Sequence, residues 1–216
     1  NQTAKAGENV FLNFTTSEPV RDLTASDLGL SSGVVISTVG KTDTAGMEWE
    51  AVGSVQDLAS GPVTFDFQVT DRAGNQGVSV SQTTDQTSVE LDTTDPTLSG
   101  INLVSNNAND PDAFAKPGDN ITLSFNSSET LQTPVIILAD NASLNVVDTS
   151  SNQGTSWEVV HTVTAEETDR DTTFSISYED IAGNAGANRT QDNSSTNIIR
   201  IDTGIPELEF VNIASN

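Results

Sequence analysis

The chain repeats itself with a period of about 110 residues, and this repeat constrains its fold more than any other feature. Residues 4–14 (AKAGENVFLNF) reappear as residues 115–125 (AKPGDNITLSF), at an offset of 111 residues. The other matched pairs have offsets of 108 to 110 residues: Trp49 with Trp157, residues 65–77 with 174–186, and residues 89–93 with 199–203. The sequence therefore predicts two copies of one structural unit, with small insertions in the loops.

The two copies differ in where their first strand lies. Residues 97–106 (TLSGINLVSN) open the second copy, whereas the matching segment, residues 207–216 (ELEFVNIASN), comes at the end of the sequence. The predicted domains are therefore residues 1–96, which lack an opening strand, and residues 97–206, which are complete. Residues 207–216 would be the opening strand of the next repeat.

Two arrangements could supply the opening strand of the first domain. In one, a longer chain carries many copies of this pair, and each repeat continues covalently into the next. In the other, separate molecules exchange strands, and residues 207–216 of one copy add to a sheet of another by β-augmentation. In both, the partners are neighbouring copies of the same repeat. A third alternative is that the sequence is one segment of a protein whose flanking residues lie outside it.

Apolar residues alternate with polar ones in many short segments, as in strands with one buried face. Ile121, Leu123 and Phe125 show this pattern, and the matching positions of the first copy repeat it. Turn-forming clusters separate these segments, and helical periodicity is nowhere sustained. The second copy is predicted to hold strands near residues 98–104, 120–126, 134–138, 144–148, 156–163, 172–179 and 196–202. Seven strands in about 110 residues predict an all-β fold of two tandem immunoglobulin-like β-sandwich domains.

The charge of the chain excludes several classes of partner. It has 31 Asp and Glu residues against 8 Lys and Arg residues, for a net charge of −23. Nucleic acids and anionic membrane surfaces would repel such a chain, so neither is expected as a partner. No apolar run approaches the roughly 18 residues of a membrane span, so no membrane insertion is expected.

The residues that most enzymes use are scarce. The chain has no Cys and one His, which excludes disulfides, thiol nucleophiles and Cys/His zinc sites. His161 lies in a predicted strand without a partner motif, and we interpret it as a core or surface residue. We interpret the acidic run of Glu166, Glu167, Asp169 and Asp171 as a solvated loop rather than a glycosidase pair. The sequence therefore predicts a protein that is not an enzyme.

Several short motifs resemble tandem bacterial immunoglobulin-like repeats of large surface proteins and adhesins. They are residues 17–20 (SEPV), 71–75 (DRAGN) and 92–96 (DTTDP). The second copy matches them with residues 128–129 (SE), 180–184 (DIAGN) and 202–206 (DTGIP). It departs from the first copy where Thr130-Leu131 replaces Pro-Val. The resemblance implies an immunoglobulin-like fold, an extracellular or cell-surface location, and use as an extender that holds another domain away from the cell.

The resemblance extends to the layout of cadherin-like domains, and this layout implies calcium at the domain junctions. Calcium accepts six to eight hard oxygen ligands in loose geometry, so clustered carboxylates and carbonyls suit it. The alternative is that these acids form Asx turns or lie in solvent. The candidate ligands are Glu18, Asp71, Asn75, Asp92 and Asp95 in the first copy, and Glu129, Asp180, Asn184 and Asp202 in the second.

Two functions are compatible with these observations. The first is structural: a repeat unit of an extracellular immunoglobulin-like fibre, stalk or surface filament that calcium stiffens at its junctions. The alternative is an adhesin module that binds carbohydrate or a host or partner protein. Trp49 and Trp157 are predicted to fill the cores of the two copies, and the alternative for them is a platform on which a sugar ring stacks.

Overall fold

The computed structural model describes residues 2–57, 59–111, 113–141, 143–190 and 198–214. These residues form strands and turns, with one short 3-10 helix at Ala25–Asp27 and no α-helix among them. The all-β prediction is therefore confirmed. No helix in this part of the chain is long and apolar enough to cross a membrane. Asn1, the first two residues of the predicted strand 196–202 and the last two of the segment 207–216 lie outside the described residues.

The chain divides into two compact units. Unit 1 comprises Asn1–Asp95 and Ile181–Asn184, and unit 2 comprises Pro96–Asp180 and Ala185–Asn216. The assignment of the two copies to tandem immunoglobulin-like domains stays a prediction.

The described residues of unit 1 contain six strands: β1 Gln2–Ala4, β2 Asn9–Thr15, β3 Val34–Lys41, β4 Glu48–Val55, β5 Ser60–Pro62 and β6 Val89–Asp92. One sheet has the order β2-β4-β3, and both of its pairings are antiparallel. The other has the order β1-β6-β5, in which β1 runs parallel to β6. The strand β2 therefore lies at an edge of its sheet.

The described residues of unit 2 contain nine strands: β7 Leu98–Ser105, β8 Phe114–Ala115, β9 Asn120–Ser127, β10 Val135–Leu138, β11 Val146–Asp148, β12 Ser156–Thr162, β13 Arg170–Asp171, β14 Phe174–Ser177 and β15 Arg200–Ile201. They form an antiparallel sheet of order β11-β12-β9-β7, the pair β10-β14, and a sheet of order β13-β15-β8. Each of the seven predicted strands overlaps an observed one. The short strands β8 and β13 were not predicted.

The two units share six strands in the same pairing arrangement. The matches are β1 with β8, β2 with β9, β3 with β11, β4 with β12, β5 with β13 and β6 with β15. Each unit also has one parallel pair, β1 with β6 and β8 with β15. The strand β7 makes the difference, because it pairs with the outer edge of β9. No strand in the described part of the chain occupies the matching edge of β2.

The cores of the two units differ in size. The buried apolar residues of unit 2 form one cluster of nineteen, which includes Ile101 and Leu103 from β7. In unit 1, the described residues form two smaller clusters, of six and three residues, and the buried Val20 and Trp49 belong to neither. The alternating burial of β9 places Ile121, Leu123 and Phe125 in the core, as the sequence pattern predicts.

Candidate functional site

Asp71 closes a tight turn in unit 1. Its Oδ1 accepts a hydrogen bond from the backbone N–H of Asn75 at 2.8 Å, and its Oδ2 accepts one from the Asn75 side-chain amide at 2.7 Å. Gly74 has a φ of +99°, which favours glycine, and this conformation lets the chain reverse. The side-chain amide of Asn75, followed by its backbone N–H, holds the pKa of Asp71 below its usual value. These two predicted ligands therefore bind each other.

Asp92 and Asp202 form matching turns after β6 and β15. The backbone N–H of Thr94 donates to Oδ1 of Asp92 at 3.1 Å, and that of Gly204 donates to Oδ1 of Asp202 at 3.0 Å. Both are Asx turns, which is the alternative role that the sequence allows for these acids. Asp92 is half-buried, whereas Asp95 and Asp202 are exposed.

Glu18 and Glu129 lie in matching loops after β2 and β9. The hydroxyl of Thr16 donates to the carbonyl oxygen of Glu18 at 2.7 Å, and that of Ser127 donates to the carbonyl oxygen of Glu129 at 2.5 Å. The same kind of hydroxyl-to-carbonyl bond therefore supports both loops. Glu18 is exposed and Glu129 is half-buried.

The two copies differ in sequence at residues 19–20 (PV) and 130–131 (TL), but the second residue of each pair is apolar and buried. Val20 forms an isolated antiparallel bridge with Asp71, and Leu131 forms the matching bridge with Asp180. The two apolar residues are 3% and 4% exposed. The replacement of Pro-Val by Thr-Leu therefore preserves a buried apolar residue whose backbone bridges to the acidic turn.

In unit 2 the structure brings two predicted ligands together. One carboxylate oxygen of Glu129 and one of Asp180 lie within 4.8 Å of each other. Asp180 is 1% exposed, whereas its counterpart Asp71 is only half-buried. Two ionised carboxylates at this separation repel each other, and a cation that accepts oxygen ligands would remove the repulsion. The pair therefore fits the chemistry of calcium.

In the described part of the chain, no three of Glu18, Asp71, Asp92 and Asp95 bring carboxylate oxygens within 4.8 Å of one another. Asn184 is grouped with unit 1, where its side-chain amide donates to the carbonyl oxygen of Asp92 at 2.9 Å. Calcium binding by the predicted residues stays a prediction.

An ionic network in unit 2 was not predicted. The Nε2 of His161 lies 3.0 Å from Oε1 of Glu167, and Nη2 of Arg170 donates to Oε2 of Glu167 at 2.9 Å. Arg170 also donates to the carbonyl oxygen of Ala139 at 2.9 Å. The Glu167 side chain is only 15% exposed, so the interpretation of the acidic run as a solvated loop is wrong for this residue. The spacing of three between Glu167 and Arg170 was the available sequence signal.

The surroundings of Glu167 favour its ionised form. Burial alone would raise the pKa of this carboxyl, but the backbone N–H of Thr164 and the neighbouring His161 and Arg170 outweigh that effect. The pKa of Glu167 therefore lies below its usual value. The network joins the loop between β12 and β13 to the residue that follows β10.

The two tryptophans fill the cores, as predicted. Trp49 is 3% exposed and Trp157 is 5% exposed, so the alternative of a sugar-stacking platform is wrong. The indole N–H of Trp157 donates to the carbonyl oxygen of Gly154 at 3.1 Å. That of Trp49 has no hydrogen-bond partner in the described part of the chain. Its ring instead stacks on Phe14, with the ring centroids 6.3 Å apart.

The strand β2 borders an open cleft in unit 1, which is lined by apolar side chains and by polar residues of the segment 81–88. The cleft has a volume of about 360 Å³. Its walls include Val10 and Leu12 from β2, with Val63, Phe65 and Val89 from elsewhere in the unit. Leu12 and Phe65 are only half-buried. Unit 1 therefore has apolar side chains beside β2 that its own described residues do not cover.

The tail segment, residues 205–214, presents a row of exposed apolar side chains. Their exposure ranges from 76% for Val211 to 96% for Ile213. The others are Ile205, Leu208 and Phe210. The segment contains no strand. Large exposed apolar patches commonly mark surfaces that bind a partner.

No family model matches the chain, and no curated protein matches it. Several solved structures resemble it at low TM-scores, and three of them follow. Rst D1-D2 has a TM-score of 0.38 and 12% identity, over 94% of this chain and 95% of its own. The glucan utilization protein SGBP-B from Bacteroides ovatus, in complex with a mixed-linkage heptasaccharide, has a TM-score of 0.25 and 14% identity, over 93% and 44%. The extracellular domain of protocadherin GammaB4 has a TM-score of 0.29 and 11% identity, over 92% and 30%. The chain spans less than half the length of the last two.

Proposed function

We propose that the chain is the structural repeat unit of an extracellular β-domain array, used as a fibre, stalk or surface filament. The observation that supports this role is the recurrence of six strands in the same pairing in both units. Asp92 and Asp202 add matching turns at equivalent positions. An array of such copies gains length by repetition, and this role needs no catalytic residue. The net charge of −23 opposes unspecific aggregation of the copies.

The extracellular location rests on the resemblance of the acidic turn and linker motifs to surface-protein repeats. Residues 71–75 and 180–184 carry the turn, and residues 92–96 and 202–206 carry the linker. The alternative function, an adhesin module for carbohydrate or a host protein, would use loops or aromatic side chains that face solvent. The burial of Trp49 and Trp157 removes the two side chains best suited to a sugar ring.

Calcium is proposed to stiffen the units at their acidic turns. Glu129 and Asp180 would hold the ion in unit 2, because their carboxylate oxygens lie within 4.8 Å of each other. Bound calcium would supply the positive charge that cancels the repulsion between the two carboxylates. Glu129 follows β9 and Asp180 follows β14, so the ion would tie together two loops that are far apart in sequence.

A calcium titration tests this part of the proposal. The melting temperature of the wild type should rise with calcium. The free energy of unfolding should increase by about 2.7 kcal/mol at a calcium concentration one hundred times the Kd. Magnesium should stabilise it less, because it gives up its water ligands reluctantly. Glu129→Gln and Asp180→Asn should each reduce the gain, whereas Glu166→Gln, at an exposed acid, should retain it. A wild type that calcium does not stabilise would show that these acids only form turns.

The array itself is tested with tandem proteins of one, two and four copies of the chain. Solution scattering should give a maximum dimension that grows in proportion to the number of copies. A dimension that levels off would contradict the structural role. Saturable binding of a single glycan class in 1 M salt would favour the adhesin alternative.

A further inference from the structure

We propose that residues 207–214 of a second copy of this chain bind along the free edge of β2 as an antiparallel strand. The inference deepens the proposed function by naming the partner of unit 1. It rests on that function only in placing copies of the chain next to one another, and it does not require calcium.

Unit 2 contains the pairing that the proposal transfers to unit 1. The strand β7 runs antiparallel to β9, with Leu103 opposite Leu123 and Asn102 opposite Ser124. At the start of β7, the backbone N–H of Ser128 donates to the carbonyl oxygen of Thr97 at 2.9 Å. An edge strand leaves a row of backbone donors and acceptors unpaired, and an added strand satisfies them.

The tail segment repeats the apolar pattern of β7. Leu98, Ile101 and Leu103 are the buried apolar residues of β7, at 9%, 3% and 1% exposure. At an offset of 110 residues, their counterparts in the tail segment are Leu208, Val211 and Ile213. These counterparts are 88%, 76% and 96% exposed. The tail segment therefore carries the core-facing side chains of an opening strand without a core to bury them.

The core-facing side chains of β2, the strand whose edge is free, are less buried than those of β9. Leu123 and Phe125 of β9 are 0% and 2% exposed, whereas the matching Leu12 and Phe14 of β2 are half-buried. The cleft of about 360 Å³ opens beside Val10 and Leu12. In unit 2, Ile101 and Leu103 belong to the same core cluster as the side chains of β9. Val211 and Ile213 would bury against β2 in the same way.

The occupant in this proposal is a second copy of the chain. The described residues of one copy leave the edge of β2 without a strand, and they leave the tail segment outside any strand. Each copy thus carries one donor segment and one acceptor edge. Because the two surfaces differ, the contact is head to tail.

The pairing of β7 with β9 predicts the register of the new contact. Transferred by the repeat offsets, Asn212 lies opposite Asn13, and Ile213 lies opposite Leu12. One position departs from the template, since Phe210 stands where Gly100 has a φ of +59° in a bulge of β7. The register that follows the bulge is therefore the part used for the test.

Disulfide trapping tests the proposal, because the wild-type chain has no cysteine. Two full-length variants are made, Asn13→Cys and Asn212→Cys, both at exposed positions. Mixed and mildly oxidised, they should form a dimer linked from position 13 to position 212 about tenfold faster than either variant alone, because docking raises the effective concentration of the thiols. Peptide mass spectrometry identifies the linked residues.

Matched variants separate this contact from random collision. Thr38→Cys is exposed on β3, at the opposite edge of the same sheet, and should not link to Asn212→Cys above background. Adding Ile213→Asp to the Asn212→Cys chain should abolish the link, and this change lies on the exposed tail segment rather than in a core. A synthetic peptide of residues 207–216 should compete with the link.

Three results would overturn the proposal. The first is a mixture that links no faster than the Thr38→Cys control, and the second is an unchanged rate with Ile213→Asp. The third is a double variant, Asn13→Cys/Asn212→Cys, that closes only within single molecules. The last result would assign the edge to the tail segment of the same chain. All these measurements are made in chelator, so a failed calcium titration and a failed docking experiment remain distinguishable.

Discussion

The strands β2 and β9 have similar sequences and different surroundings. The strand β2 pairs with β4, and β9 pairs with β12. Within the described residues, only β9 has a second neighbour, β7, on its other edge. The core-facing Ile121 and Leu123 are 0% exposed, while Leu12 is half-buried. The comparison shows that an alternating pattern predicts which face of a strand points inward, whereas the neighbouring strand decides how completely that face is buried.

The largest expected effect concerns truncation of the matching leucines. Leu123→Ala should lower the free energy of unfolding of unit 2 by about 2–5 kcal/mol, because the side chain is fully buried. Leu12→Ala should lower that of unit 1 by only about 1 kcal/mol, since Leu12 is already partly exposed. Urea unfolding is followed by the single tryptophan of each unit, with the other tryptophan replaced by phenylalanine. Equal losses of stability in the two variants would show that the added strand β7 does not make Leu123 more important than Leu12.

A peptide of residues 207–216 sharpens the same experiment. If it covers β2, the loss caused by Leu12→Ala should grow toward the loss caused by Leu123→Ala. The loss caused by Leu123→Ala should not change, because β7 already covers β9.

The next effect concerns the ionic network, which unit 2 has and unit 1 lacks at the matching position. His161 pairs with Ile121 in the sheet, and Gly53 takes that place opposite Val10 in unit 1. The pKa of Glu167 is depressed in the folded state from a reference value of 4.5. Its contribution to stability is therefore present above about pH 4.5 and is lost as the pH falls through the folded pKa.

Glu167→Gln should destabilise unit 2 by about 1–3 kcal/mol at neutral pH, because it removes the charged acceptor that the buried His161 and the half-buried Arg170 share. It should also flatten the dependence of unit 2 stability on pH below about 4.5. Thermal unfolding across this range checks both expectations, and Glu166→Gln is the control at an exposed neighbouring acid. An unchanged slope in Glu167→Gln would mean that other acids cause the acid sensitivity.

The smallest effect concerns the two indole N–H groups. Trp157→Phe removes a donor that binds the carbonyl oxygen of Gly154, whereas Trp49→Phe removes one without a partner among the described residues. The loss of apolar contact should be similar, so Trp157→Phe should cost about 1 kcal/mol more than Trp49→Phe. Calorimetry of the two variants measures the difference. A larger loss for Trp49→Phe would indicate a partner for its N–H.

The sequence predicts the strands well where burial alternates strictly. Ile121, Leu123 and Phe125 alternate with polar residues, so β9 and its partners could be placed to within a few residues. The pairing of unit 1 near Leu28 and Phe67 is less regular, since it consists of isolated bridges rather than strands. Such details depend on which neighbouring strands complete the sheet, and a local pattern does not contain that information.

The acidic residues could be predicted as turn formers but not as neighbours. The Asx turns of Asp92 and Asp202 follow from local chemistry within two residues. The approach of Glu129 to Asp180 joins positions 51 residues apart, and it depends on the whole of unit 2. The contact of His161 with Glu167 likewise requires a loop to fold back on β12.

The edge of β2 is open in one copy of the chain, and residues 207–214 of another copy are proposed to fill it. Amide hydrogen exchange tests it most directly, with dilute full-length chain measured alone and with an excess of the 207–216 peptide. In the chain alone, residues 9–15 should exchange much faster than residues 120–127. The peptide should protect residues 9–15 and leave the exchange of residues 120–127 unchanged. Equal protection of the two strands at the outset, or no change at β2 with saturating peptide, would contradict it.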